Sequence, residues 1–230
     1  MKKNILVIGG SQGIGFSLIN LLKNDYNLFV ASRTVQQLST GNITHIKFDV
    51  LNDDLETDLL PESLDGFVYC PGSINLKPFK MMSLDTFEKD MQINFFGMVR
   101  VLKGIVSKLS NESSLVFFST IAVASGMPFH TSVAAAKGAL EGFVKSFAAE
   151  HAPKIRANVI APSLVDTPLS SRLLSSDKKR AQMEERHPLK KIGSPNDIAA
   201  MAKFLLGDES KWITGQVIGV DGGLSTLNIN

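Results

Sequence analysis

Gly9-Gly10-Ser11-Gln12-Gly13-Ile14-Gly15 directly follows the apolar run at residues 5–8 and opens a helical pattern. Glycines let a backbone turn tightly and approach a pyrophosphate. The first turn of the helix behind them offers unpaired N–H groups and a positive dipole end. Such a turn suits the binding of a dinucleotide. A second candidate lies at the end of the next strand pattern. There Ser32-Arg33 sets a hydroxyl beside a planar fork of donors suited to phosphate.

These residues need a scaffold, and the pattern of the chain describes one. Short β-branched and aromatic runs recur at residues 5–8, 28–31, 45–48, 67–70, 115–118, 157–160 and 217–220. Most are continuously apolar, as strands buried on both faces are. Helical patterns lie between them at 14–22, 84–109, 132–150 and 197–206. The alternation predicts an α/β fold: a doubly wound parallel sheet of about seven strands with helices on both faces. No linker-like stretch divides residues 1–230, so a single domain is expected. The least regular stretch, about 163–193, reads as a lid-like insertion. Its helical pattern at 173–186 carries Leu173, Leu174 and Met183 as one apolar face. Between Arg33 and His45 there is little room for a helix, and Gly41-Asn42 suggests a turn.

Composition narrows the function. The chain is 44% hydrophobic and 20% charged, an ordinary globular balance. A net charge of +2 with scattered basic residues gives no support for nucleic acid as a partner. The basic cluster at 178–180 reads as a solvated helix face. No run reaches the roughly 18 apolar residues of a membrane helix. Met1-Lys2-Lys3 precedes an apolar run too short for a signal peptide, so that run reads as a first strand. One cysteine, Cys70, permits no internal disulfide and fits a reducing, cytoplasmic setting.

The spacing Gly-x-x-x-Gly-x-Gly, with Ile14 inside it, resembles the short-chain dehydrogenase/reductase family. The resemblance extends over nearly the whole chain. Asp49-Val50 is similar to the family's adenine-contacting pair. Cys70-Pro71-Gly72 falls where the family has Asn-Ala-Gly. Asn94-Phe95-Phe96-Gly97 resembles its Asn-x-x-Gly helix motif. Pro162, Val165 and Thr167 fall where the family holds the nicotinamide carboxamide, although Ser163 stands where it usually has Gly. Residues 213–223, ending in Asp221-Gly222-Gly223, resemble its C-terminal signature. The resemblance implies a Rossmann fold, a nicotinamide cofactor, a small-molecule substrate, no metal, and a homo-oligomer (dimer or tetramer). An acidic residue at the end of strand two would favour NAD and repel a 2′-phosphate. Ser32-Arg33 stands there instead, which points to NADP(H).

In the family, catalysis uses Tyr-x-x-x-Lys, a Ser some 13 residues before the Tyr, and the helix Asn. The Tyr gives the proton that a new alkoxide needs, and the Lys lowers its pKa and bonds the ribose. Here Ala136-Lys137-Gly138-Ala139-Leu140 fixes the register, and four residues before Lys137 stands Val133. Thr120, with Ser119 beside it, takes the place of the Ser. Lys137 and Asn94 match the family pattern, and Val133 has no proton to give. Three readings follow. In the first, another acid serves, with His130 as the leading candidate and Tyr69 as a weaker one. His130 stands seven residues before Lys137, where the enoyl-reductase branch has its Tyr. In the second, hydride transfer proceeds without a positioned acid, which suits an activated C=C bond. In the third, the protein binds NADP(H) with little or no turnover.

Overall fold

The apolar runs become strands because alternate side chains pass to opposite faces, and both faces are covered. The computed structural model describes residues 2–34 and 42–228. Its elements are β1 (Asn4–Ile8), α1 (Gly13–Leu22), β2 (Asn27–Ser32), β3 (Ile43–Lys47), β4 (Leu64–Tyr69), α2 (Leu84–Met91), α3 (Gly97–Ile105), β5 (Leu109–Phe118), α4 (Ala122–Ser125), α5 (Thr131–His151), β6 (Ile155–Pro162), α6 (Asp177–Arg186), α7 (Pro195–Leu206) and β7 (Val217–Val220). The strands form one seven-stranded sheet in the order β3-β2-β1-β4-β5-β6-β7. Every pairing in it is parallel.

The two faces carry two cores. Leu6, Ile8, Phe67, Leu115 and Phe117 pack with Met98, Val101 and Leu102 of α3 and with Leu140 and Val144 of α5. Ile5, Val7, Val68 and Val116 pack instead with Leu18, Ile19 and Leu22 of α1 and with Ile198, Ala202 and Leu205 of α7. The strand order reverses beside β1. In sheets of this kind the crevice at the carboxyl ends of the strands there is where ligands bind.

The helix expected over 84–109 is interrupted. A π-helical turn, Gln92–Phe96, separates α2 from α3. Tyr69 Oη donates to the Ile93 carbonyl inside that turn at 2.7 Å. Gly97 is required just beyond it, because a Cβ there would lie 2.6 Å from Val50 Cγ2 and 2.9 Å from Tyr69 Oη. Leu109 belongs to β5, not to the helix, because it pairs with Leu64 before the register shifts at Gly66.

Two other boundaries move. Leu173 and Leu174 lie in a 3-10 turn, Pro168–Leu174, which a capping box of Thr167 and Ser170 opens. The lid helix α6 starts only after Ser176, whose Oγ accepts from Lys179 N. Helix α7 begins at Pro195, with Ser194 and Asp197 capping it reciprocally. Of the turn expected at Gly41-Asn42, Asn42 lies in a turn and Gly41 is outside the described residues.

Candidate active site

The glycine turn folds as a phosphate-sized cradle because its backbone takes conformations that only glycine holds cheaply. Gly9 and Gly13 have φ of +82° and +58°. A Cβ on Gly15 would lie 2.4 Å from the Gly9 carbonyl oxygen, so α1 can start this close to β1 only without a side chain there. Gln12, at the N-cap of α1, makes no side-chain capping bond, and the first turn carries no acidic residue. Its N–H groups are left for a ligand.

A cleft of about 450 Å³ runs from this turn across the carboxyl ends of the strands to α5. Every residue that the sequence offered for catalysis or cofactor binding lines it, except Asn94 and the weaker acid candidate Tyr69. Leu173 and Met183 of the lid line it as well, whereas Leu174 does not. Arg33 is exposed at the end of β2.

Three expected hydrogen-bonding roles change. Ser32 Oγ donates to the Thr34 carbonyl at 2.9 Å, and His45 Nε2 stands 3.0 Å from Ser32 Oγ. The Ser32 proton is therefore committed within the protein. Asp49 accepts from Leu51 N at 3.0 Å and from Asn52 Nδ2 at 3.2 Å, so its carboxylate first fixes its own turn. Ser119 Oγ donates to Glu141 Oε1 at 2.5 Å, which turns that hydroxyl toward α5. Thr120, whose Oγ1 accepts from Ala122 N, is the hydroxyl left for a substrate oxygen.

At the far end of the cleft, Lys137 Nζ donates to the Phe118 carbonyl at 2.7 Å. Burial lowers its ammonium to about 8 from the ordinary 10.5. Cys70 is close by, and burial pushes its thiol up to about 12. Val133 stands a turn before Lys137 and is 6% exposed. His130 Nδ1 lies 2.7 Å from the Pro128 carbonyl, so Nδ1 carries the proton and Nε2 is the acceptor of the neutral ring. Tyr69 does not reach this end. It is buried and bonded to the π turn, and its phenol is held far above the ordinary range by desolvation. Asn94 is buried behind the wall. Its Nδ2 donates to the Asp90 carbonyl and to Ser73 Oγ, each at 2.8 Å.

Two features escaped the sequence reading. His187, 2% exposed at the end of α6, sets Nε2 2.9 Å from Ser163 Oγ and so ties the lid to the tip of β6. Asp90 is wholly buried beneath the cleft. Its signal was present: Asp90 and Asn94 are polar residues at i and i+4 on the stripe that continues as Met98 and Val101.

The lowered Lys137 makes a stability prediction. The unfolded chain binds this proton more tightly, so between pH 8 and 10.5 stability rises with pH. Below that window the buried charge costs on the order of 3 kcal/mol. Lys137→Met is expected to be more stable than the wild type at pH 7, by about 1–2 kcal/mol once the orphaned Phe118 carbonyl is counted. The gap should close by pH 10. Urea denaturation at both pH values reads this; an equal gap at both would show that the charge is not its cause.

A parallel sheet that reverses beside a glycine turn, with an uncapped helix opening on a cleft, is the architecture of the Rossmann-like α/β class. Comparisons give the family. The family model described as enoyl-(acyl carrier protein) reductase matches residues 45–225. The 3-oxoacyl-[acyl-carrier-protein] reductase FabG of Chlamydia trachomatis is 29% identical over 98% of each chain. A short chain dehydrogenase family protein of Francisella tularensis superposes with a TM-score of 0.91 at 28% identity, covering 99% of this chain and 100% of that one. ElxO, solved with NADP bound, superposes at 0.86 with 28% identity and the same coverage. The chain belongs to the short-chain dehydrogenase/reductase family, whose members found here are oxidoreductases. No helix among the described residues is long and apolar enough to cross a membrane.

Proposed function

We propose that this chain is an NADP(H)-dependent oxidoreductase acting on a small carbonyl or an activated alkene. The observation that carries this reading is one cleft joining an uncapped helix start, Arg33 and the buried Lys137. A dinucleotide fits those donors. The glycine turn (Gly9, Ser11, Gln12, Gly13, Ile14 and Gly15) would hold the pyrophosphate, and Arg33 the 2′-phosphate. Asp49 and Val50 would border the adenine, Cys70, Pro71 and Gly72 the middle of the cofactor, and Pro162, Val165 and Thr167 the carboxamide. NADP bound to ElxO supports the choice of nucleotide. When bound, NADPH supplies a hydride.

The chain's own groups do the rest. Lys137 keeps two N–H groups for ribose hydroxyls after bonding the Phe118 carbonyl. The Thr120 hydroxyl orients the substrate oxygen, and Asn94 holds the wall behind it. Val133 offers no proton, so His130, on the cleft wall, is the acid, donating only as imidazolium. Val133 also favours a second reading, an NADP(H)-binding protein with little or no turnover. A reducing, cytoplasmic setting, a single domain with a lid, and a homo-oligomer belong to the same proposal.

The first test is a fluorescence titration with NADPH and with NADH. NADPH is expected to bind at least about tenfold more tightly, the worth of one charge-assisted bond. Binding of neither nucleotide would contradict the proposal in both forms.

A further inference from the structure

Asp90 is the only fully buried carboxylate among the described residues, and the function above does not use it. Three donors from two segments converge on it. Ser73 Oγ donates to Oδ1 at 2.5 Å, and Asn75 Nδ2 donates to the same oxygen at 2.7 Å. Ser132 Oγ donates to Oδ2. Ser73 and Asn75 belong to the segment after β4, Asp90 to α2, and Ser132 to the first turn of α5, next to Val133. Its two carboxyl oxygens thus accept three hydrogen bonds and donate none.

The partner of that charge lies across a short polar path. Asn94 Nδ2 donates to Ser73 Oγ, and Asn94 Oδ1 accepts from Ser73 N at 3.4 Å. A Cβ on Gly72 would lie 3.3 Å from Asn94 Oδ1 and 3.7 Å from Lys137 Nζ. Gly72 therefore lies between the Asn94 amide and the Lys137 ammonium. Lys137 is itself buried, with a neutral carbonyl as its one hydrogen-bond acceptor among the described residues.

We infer that Asp90 is a positioning residue of this site: it fixes the three segments around position 133 and serves as the buried counter-charge of Lys137. The inference rests on the reading of Lys137 as the ribose anchor. Other titratable groups stand on the elements around Lys137. Cys70, at the end of β4, is a neutral thiol held at about 12. Glu141, a turn along α5, is bound by Ser119. His130 precedes α5 and is bound to the Pro128 carbonyl. Desolvation lowers Lys137 more than its surroundings raise it; Cys70 and then Asp90 are the groups that raise it.

The test reads the titration of Lys137 directly, without nucleotide, by NMR of protein carrying carbon-13 lysine. Absence of one signal in Lys137→Met assigns it. Asp90→Asn keeps the shape, and its amide can accept from Ser73 and Asn75 while donating to Ser132 Oγ. It therefore removes charge and little else. The Lys137 midpoint is expected to fall by about one pH unit in Asp90→Asn, a tenfold loss of proton affinity. It should stay in place in Ser132→Ala, which removes a contact and keeps the charge. Asp90→Ser, neutral and smaller, serves if the Asn variant does not fold. An unchanged midpoint in a folded neutral variant, or an equal fall in Ser132→Ala, would overturn the inference. Because nucleotide is absent, this result is separate from any failure of wild-type protein to bind NADPH.

Discussion

Arg33→Asp is expected to invert the nucleotide preference, weakening NADPH and strengthening NADH for a combined swing of about 10²–10³-fold. Arg33 is exposed at the tip of β2, so its replacement removes no packing. Its neighbour Ser32 cannot take over, because its proton is already given to the Thr34 carbonyl. A charge-assisted bond to phosphate contributes roughly 1.5–3 kcal/mol. An aspartate adds repulsion toward a 2′-phosphate and an acceptor for a 2′-hydroxyl. Together these reach about 3–4 kcal/mol, which is the stated swing. Titration of both proteins with both nucleotides measures it. A variant that still prefers NADPH would show that the 2′-phosphate is read elsewhere.

The second large effect concerns the residue a turn before the lysine. Val133→Tyr is expected to raise carbonyl reduction with NADPH by about 10²-fold, with NADPH affinity changed only a few-fold. A positioned general acid contributes about 10²–10⁴-fold. Val133 lies on the cleft wall, and Lys137 follows it at i+4, where side chains on one helix face meet. The larger ring has the cleft to enter; forced into the core instead, it would destabilise by about 1–3 kcal/mol. A thermal melt separates those outcomes. Steady-state rates over a panel of aldehydes and ketones give the answer, and unchanged turnover in a folded variant would mean that position 133 is not where the acid is missing.

What the sequence made legible was whatever depends on local pattern. Continuous apolar runs announced the strands, and strand β7 matched residue for residue. The glycine turn stood between β1 and α1 as its spacing required. Residues far apart in the chain, such as Arg33, Thr120 and Lys137, came to one cleft because a parallel sheet brings all its carboxyl ends to one edge. What stayed hidden depends on partners that no local pattern names. Ser119 reads as a companion of Thr120 until Glu141, on α5, is seen to accept its hydrogen bond. The break at Gln92–Phe96 is set by Tyr69 reaching up from the sheet. Leu109 looks helical by periodicity and becomes strand only through Leu64. Asp90 looks like one more charge on an amphipathic helix until its three donors are seen around it.

The central claim is that this chain moves a hydride although valine stands at position 133. Its most direct test uses NADPH deuterated at the transferable position, wild-type protein, and a panel of small aldehydes, ketones and activated enones, with products read by mass spectrometry. The account predicts carbon-bound deuterium in at least one reduced product. Its amount should grow with time and fall in Lys137→Met. Tight NADPH binding with no deuterium in any product would contradict the claim and leave a nucleotide-binding protein without turnover.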